Sequence, residues 1–190
     1  IGGRRHYAGV KISVRPNVDL EGNHQFLFQN ELPEGEGLQD WLVESVERGV
    51  LDQMKSGILM GHAVIGLKVG LVSVAYNELD STEMAFKAAS SMALREALME
   101  GESKILEPIM AVEIVSPEEY MGDISGDINR RRGLIVGLDD LGSDKKLKAQ
   151  VPLSEMFGYS THLRSRSQGR ATFTMEFKNY SEIPISSLNE

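Results

Sequence analysis

Ser116-Pro117-Glu118-Glu119-Tyr120-Met121-Gly122-Asp123-Ile124-Ser125-Gly126-Asp127-Ile128-Asn129-Arg130-Arg131-Arg132-Gly133 is the stretch from which the second half of the chain can be read. Ser116 is a good helix N-cap, and proline suits the first helical position. Glu119 stands three residues on, at capping-box spacing. Glu118 and Glu119 favour the positive end of the helix dipole, and Arg130, Arg131 and Arg132 the negative end. Gly133 is expected to take the left-handed conformation that stops the helix. Met121, Ile124 and Ile128 recur at helical spacing and predict one buried stripe. Gly122 and Gly126 are the anomaly, since each costs about 1 kcal/mol against alanine inside a helix. Either another protein element packs tightly there, or a large partner such as RNA meets a thin helix surface edged by arginines.

Around this helix the pattern is regular. Pro108 to Val115 reads as a strand, and Leu134 to Leu138 as another. Asp139 to Lys145 reads as a hairpin loop. Leu147, Ala149 and Val151 alternate as the next strand, and residues 152–164 form a helix. Ala171, Phe173, Met175 and Phe177 alternate in a last strand. The order β-α-β-β-α-β is the split-βαβ pattern of ferredoxin-like domains. Residues 101–106 are a linker between this module and an earlier one.

The earlier module opens with a strand in which Val10, Ile12 and Val14 alternate with Lys11, Ser13 and Arg15. Phe26 and Phe28 mark a second strand. Trp41 to Gly57 reads as a helix with Asp40 as its cap. Val64 to Tyr76 reads as a strand, with Val64, Gly66, Lys68, Gly70, Val72 and Val74 on one face. A helix from Ser81 to Glu100 follows, capped by Asp80 with Glu83 at capping-box spacing. Ala85, Ala88, Ala89, Met92, Ala93 and Ala97 give it a small-residue face that can lie close on a sheet. The fold class is α+β, in two domains.

The 190 residues carry a formal charge of −8, with 41% hydrophobic and 25% charged residues and no cysteine. That excludes a disulfide framework, a thiolate metal site and a cysteine nucleophile. No apolar run reaches the roughly 20 residues of a membrane span. His6, His24, His62 and His162 are scattered, without zinc-site spacing, and there is no P-loop. Nothing reads as a catalytic constellation. The charge is uneven, however. Ile1 to Val18 contain Arg4, Arg5, Lys11 and Arg15 and no acid. Gly158 to Ala171 contain Arg164, Arg166 and Arg170 and no acid. With Arg130 to Arg132 these are three basic islands on an acidic chain, each readable as solvated surface. Together they point to a partner with phosphates, which arginine holds bidentately. Two loops, Gly2 to Tyr7 and Tyr76 to Asp80, project from one end if their strands pair in the right sense. Gly2 and Gly3 leave the backbone open, and Arg4, Arg5, Tyr7, Tyr76 and Asn77 suit RNA backbone and unstacked bases. Core packing of Tyr7 and Tyr76 is the other reading.

Gly-Gly-Arg-x-x-Tyr at 2–7, Asp-Ser-Thr-Glu-Met-Ala-Phe-Lys-Ala-Ala at 80–89 and Leu-Glu-Pro-Ile-Met at 106–110 resemble the C-terminal part of elongation factor G. So do the segments 117–133 and 152–170. The resemblance implies two domains: the fourth at 1–104, beginning after its first strand, and the fifth at 105–190. The fourth has a βαβ fold shared with a ribosomal-protein domain, and the fifth is ferredoxin-like. It implies a cytoplasmic ribosomal translocase whose GTPase domain, with GTP and magnesium, lies upstream. This portion would then need no cofactor, be no enzyme by itself and touch no membrane. Its implied partners are the upstream domains of its own chain and the ribosome. They include the ribosomal RNA of both subunits and the transfer and messenger RNA at the decoding region. The tip loops at 2–7 and 76–80 would follow the RNAs. Tyr120, Gly122, Asn129, Arg130, Arg131 and Arg132 on the 117–132 helix, with Arg164 and Arg170, would meet large-subunit RNA. The sequence departs from the family at the tip, where Asn77 replaces a functionally important histidine. Arg5, His6, Ala8 and Gly9 also differ. Those departures open a second reading, a paralogue acting in ribosome recycling or another specialised role, and the remaining alternative is a protein-interaction module whose 117–132 helix docks on the rest of its own chain or on a regulator.

Overall fold

The computed structural model describes residues 6–19, 24–33 and 39–184. The chain divides into two units, Ile1–Lys104 and Ile105–Glu190.

In the first unit the elements are β1 (Gly9–Pro16), β2 (Leu27–Asn30), α1 (Asp40–Ser56), β3 (Leu67–Ala75) and α2 (Glu83–Glu100). The sheet runs β1-β3-β2, with β1 antiparallel and β2 parallel to β3. Both helices cover one of its faces. Val50, Val69 and Leu94 fill one half of the core, and Leu42, Val46, Leu71 and Phe86 the other. The alternation expected over Val64 to Tyr76 is broken. The strand starts at Leu67, and a bulge sets Lys11 opposite Ser73 but Ile12 opposite Leu71. One extra residue reverses the alternation, so Val74 turns to the helix face and packs with Val10.

Three local expectations are corrected here. Gln39, not Asp40, is the cap of α1, and Asp40 is its first residue. Thr82, not Asp80, caps α2; its hydroxyl accepts from the Ala85 N–H at 3.2 Å. The stripe that α2 buries is Phe86, Ser90, Leu94 and Leu98, while Ala88 and Met92 are exposed. The larger apolar side chains win the core-facing position because they remove more surface from water. Close approach falls instead between the helices. A Cβ on Gly49 of α1 would collide with the Ser90 hydroxyl and the Lys87 carbonyl of α2.

The second unit consists of β4 (Leu106–Pro117), α3 (Glu118–Arg130), β5 (Leu134–Asp140), β6 (Asp144–Pro152), α4 (Tyr159–Arg166) and β7 (Thr172–Glu182). The sheet order is β5-β6-β4-β7, antiparallel throughout, which is the ferredoxin-like arrangement. The core joins Val112, Ile114, Leu147 and Val151 of the sheet to Met121, Ile124 and Ile128 of α3 and Tyr159 and Leu163 of α4. The predicted stripe of α3 is buried as read.

Both ends of α3 differ from expectation. Ser116 is no cap. It lies buried in β4 opposite Lys145, its hydroxyl donating to the Pro117 carbonyl, and Pro117 holds the cap position without a side-chain bond. At the other end Arg132, not Gly133, is left-handed, with φ +58. The N–H of Arg132 donates to the Asn129 carbonyl and that of Gly133 to Ile128, a Schellman closure with arginine where glycine is usual. Gly133 is required for space instead. A Cβ there would lie 2.6 Å from Ile128 Cγ2 and 2.7 Å from its carbonyl. The single helix expected over residues 152–164 is split. A 3-10 turn, Leu153–Met156, precedes α4, and Gly158 at φ +72 breaks the two apart.

Candidate nucleic-acid interface

Two surfaces gather the residues singled out in the sequence. The first is the end of the first unit where β1 begins and β3 ends. Gly2, Gly3, Arg4 and Arg5 lie outside the described residues. The remaining tip residues are tied into one network. The Tyr7 N–H donates to the Asp80 carbonyl at 3.0 Å, and Ser81 Oγ donates to the Tyr7 carbonyl at 2.8 Å. The Asn77 N–H donates to Ser81 Oγ at 2.9 Å. Asn77 Oδ1 accepts from the N–H groups of Leu79 and Asp80, at 2.9 and 3.3 Å. Tyr7 and the 76–80 turn therefore lie side by side at this end of the unit. Tyr76 serves both readings: its ring packs edge-on against Trp41, and the residue stays part-exposed. Leu79, which sequence reasoning passed over, stands at the apex with 92% of its surface exposed. Its signal was a lone leucine inside a turn held by asparagine.

The second surface is the outer side of α3 with the segment after α4. Gly122 and Gly126 face open space: a Cβ at either would meet nothing within 4 Å. No described element of the second unit packs there. Asn129 and Arg130 are exposed at the helix end. Arg164 is exposed and makes no ion pair with a described residue. The guanidinium of Arg170 pairs with Glu119 and lies 5.7 Å from the Tyr120 ring centroid.

The three consecutive arginines part company. Arg130 is 64% exposed in its side chain and only 3.8 Å from Asp127. Arg131 turns inward, with 14% exposed. It donates from Nε to Asp127 at 2.9 Å and from a terminal nitrogen to the Glu155 carbonyl, and it stacks on Tyr159 at 4.9 Å. Arg132 pairs with the buried Glu107 and lies 3.8 Å from Glu155. The sequence reading grouped these residues as one basic end. It missed the carboxylates that claim two of them, although Asp127 stands at the i−3 and i−4 spacings that signal such pairs. Asp127 also has Arg166 at 3.6 Å. Burial first, and then the Asp127 charge, push the Tyr159 phenol well above its ordinary range. Among the described residues its hydroxyl has no hydrogen-bond partner.

Among the described residues no group of three histidines or carboxylates could hold a metal ion. No described helix is long and apolar enough to cross a membrane. Residues 1–102 match the family model for elongation factor G, domain IV, and residues 104–190 that for elongation factor G C-terminus.

The chain belongs to the elongation factor G family. A crystal structure from Thermus thermophilus is similar, with a TM-score of 0.82 and 27% identity over 96% of this chain. The chain spans 29% of the length of that protein. The two units are thus two domains of an elongation factor G-type translation factor. In the order of that family, the tip loops belong to domain IV and the glycine-faced helix α3 to the C-terminal domain.

Proposed function

We propose that this is the ribosome-binding portion of a translational GTPase, and that α3 is its main contact with ribosomal RNA. The observation that carries the reading is the open glycine face of α3 ending in the exposed Arg130. An isolated helix face gains nothing from two glycines. A phosphate-bearing partner that must come close to the helix backbone does gain from them, and a guanidinium at the rim supplies a bidentate donor. Arg164 is a further exposed arginine of the same unit, and Arg170 lies over the Tyr120 ring. Arg131 and Arg132 act by holding the helix end in place rather than by touching RNA. The open face of the second sheet supports the choice of the helix side. Glu113, Lys146, Lys148 and Asp139 are paired across it at 2.7 to 3.0 Å. No aromatic ring stands among Val115, Gln150, Thr172 and Thr174, which share it, so that face lacks a platform for base stacking.

In the intact factor the GTP-hydrolysing domain, with GTP and magnesium, is expected upstream. The tip of the first unit would follow transfer and messenger RNA during translocation. Asn77 favours a specialised variant of that role, for instance in recycling, since its amide cannot take up a proton near neutral pH. Restoring histidine there in the full-length factor, and timing translocation, separates the two.

The test of the α3 assignment is co-sedimentation with ribosomes across a salt series. Gly122→Leu should weaken binding at least about ten-fold while leaving the fold intact. Arg130→Ala should lower the salt slope by about one. Binding unchanged by both overturns the assignment.

A further inference from the structure

The basic island at the start of the chain is only partly absorbed by the tip. Lys11 and Arg15 sit in β1, behind the loop, and the register shows where they go. Val10, Ile12 and Val14 turn to the helices, so Lys11, Ser13 and Arg15 share the opposite, open face of the sheet. Across the ladder Arg15 stands opposite Lys68, Ser13 opposite Gly70 and Lys11 opposite Ser73. Gln29 of β2 lies on the far side of Gly70. Neither Lys11 nor Lys68 has an ion-pair partner among the described residues, and Arg15 has only Glu31, at 4.0 Å.

Among the described residues, Glu31 is the acid brought onto this face. Its carboxylate lies over Gly70, where any Cβ would collide with it, and it accepts from the Ser13 hydroxyl at 3.2 Å. Among the described residues the sheet face therefore carries three cations against one anion, on a chain of net charge −8. Lys11 and Arg15 lie along one strand, with Lys68 beside Arg15 on the next. Lys11 to Arg15 spans about 13 Å along the strand, enough to meet more than one phosphate of a nucleic-acid backbone. The remaining groups are small or polar. Serine hydroxyls and a carboxamide hydrogen-bond phosphate and ribose oxygens. Among the described residues Leu27 is the large apolar side chain at the margin, whereas protein interfaces usually centre on buried apolar or aromatic anchors.

We infer that the open face of the first sheet, through Lys11, Arg15 and Lys68, is a second RNA-backbone surface, separate from α3 and from the tip loops. It rests on the reading that the partner is RNA, and it adds a site to that reading. It reads no sequence, because its donors reach phosphate and sugar rather than base edges. Glu31 limits its strength, as its carboxylate lies among the cations.

The experiment uses the 190-residue chain, a fluorescein-labelled single-stranded RNA of mixed sequence, and purified ribosomes. Lys11→Gln/Arg15→Gln/Lys68→Gln should lower RNA affinity about ten-fold or more in about 0.1 M salt and reduce the slope of log affinity against log salt by about two. Glu31→Gln keeps the Ser13 contact and should raise the affinity. Circular dichroism checks that each variant folds. Unchanged affinity and slope in the triple variant overturn the inference. So does tighter binding to poly-glutamate than to RNA, which would mark the face as a general polyanion or acidic-protein surface. If Arg130→Ala weakens ribosome binding while the triple variant does not, this inference alone fails. If the unaltered chain binds neither RNA nor ribosomes, the broader function fails with it.

Discussion

Arg131 Nε lies 2.9 Å from Asp127 Oδ2, whereas Arg130, one residue earlier, keeps its guanidinium 3.8 Å from the same carboxylate and largely in water. Adjacent arginines therefore do different work. Asp127 has 10% of its side chain exposed, and removing its main partner leaves a poorly hydrated charge. Arg131→Ala should cost about 2–3 kcal/mol in urea unfolding, the low side for a broken buried pair because Arg166 and Arg130 remain near. Arg130→Ala should change stability by less than about 0.5 kcal/mol. A ribosome-binding defect in Arg130→Ala at unchanged midpoint, with the converse for Arg131→Ala, would bear out the division.

The glycines of α3 make an opposed pair of expectations. With open space above both Cα atoms, Gly122→Ala and Gly126→Ala should each stabilise the second unit by about 1 kcal/mol. A helix optimised only for folding would carry alanine there. The measurement is the thermal midpoint of each variant set beside its ribosome affinity. Stability that rises while affinity falls identifies a site kept thin for a partner. A rise in both would remove the reason for the glycines.

How much of this was legible in the sequence follows from the range of the interactions. The buried stripe of α3 and the order of elements in the second unit rest on local periodicity, and they could be read. The exchange of roles between Arg132 and Gly133 could not. Both residues suit a helix end, and only the approach of Ile128 and Val151 to Gly133 decides which one needs to be glycine. The fates of Arg131 and Arg132 depend on Glu155 and Glu107, each more than twenty residues away in the chain. The flip of Val74 depends on a bulge created by pairing with β1. Local signals place an element; partners distant in sequence decide what each side chain on it does.

Tyr159 supplies a pH test. Burial, aided by Asp127, raises its phenol above the ordinary value of 10.0. A raised folded value means that the folded state keeps its proton while the unfolded state loses it. The favourable balance is complete below pH 10.0 and is lost as the pH rises beyond it. The buried hydroxyl also lacks a hydrogen-bond partner among the described residues. Tyr159→Phe should therefore stabilise the chain by about 1 kcal/mol at pH 7, and its stability should fall less steeply than that of the unaltered chain between about pH 9 and 11. Urea midpoints across that range, compared pairwise, cancel the titration of the lysines. A steeper fall in the variant would mean the phenol is not shielded.

The tip loop gives the last prediction. Asn77 Oδ1 is the acceptor that folds residues 77–80 back on themselves, taking the N–H groups of Leu79 and Asp80. The Asp80 carbonyl in turn receives Tyr7, so one side-chain oxygen braces both loops. Asn77→Asp keeps that oxygen and Asn77→Ala removes it. Amide exchange at Leu79, Asp80 and Tyr7 should speed up by about five-fold or more in the alanine variant, corresponding to about 1 kcal/mol of lost bracing. It should stay near the original rates in the aspartate variant. Because the bracing is local, the exchange of α2 beyond Phe86 should not change in either. Histidine at this position can offer only one ring nitrogen as acceptor, so it cannot serve two N–H groups at once. Asn77→His should therefore speed exchange at one of Leu79 and Asp80 while the other stays protected. Equal protection of both with histidine in place would show that the backbone alone shapes the turn.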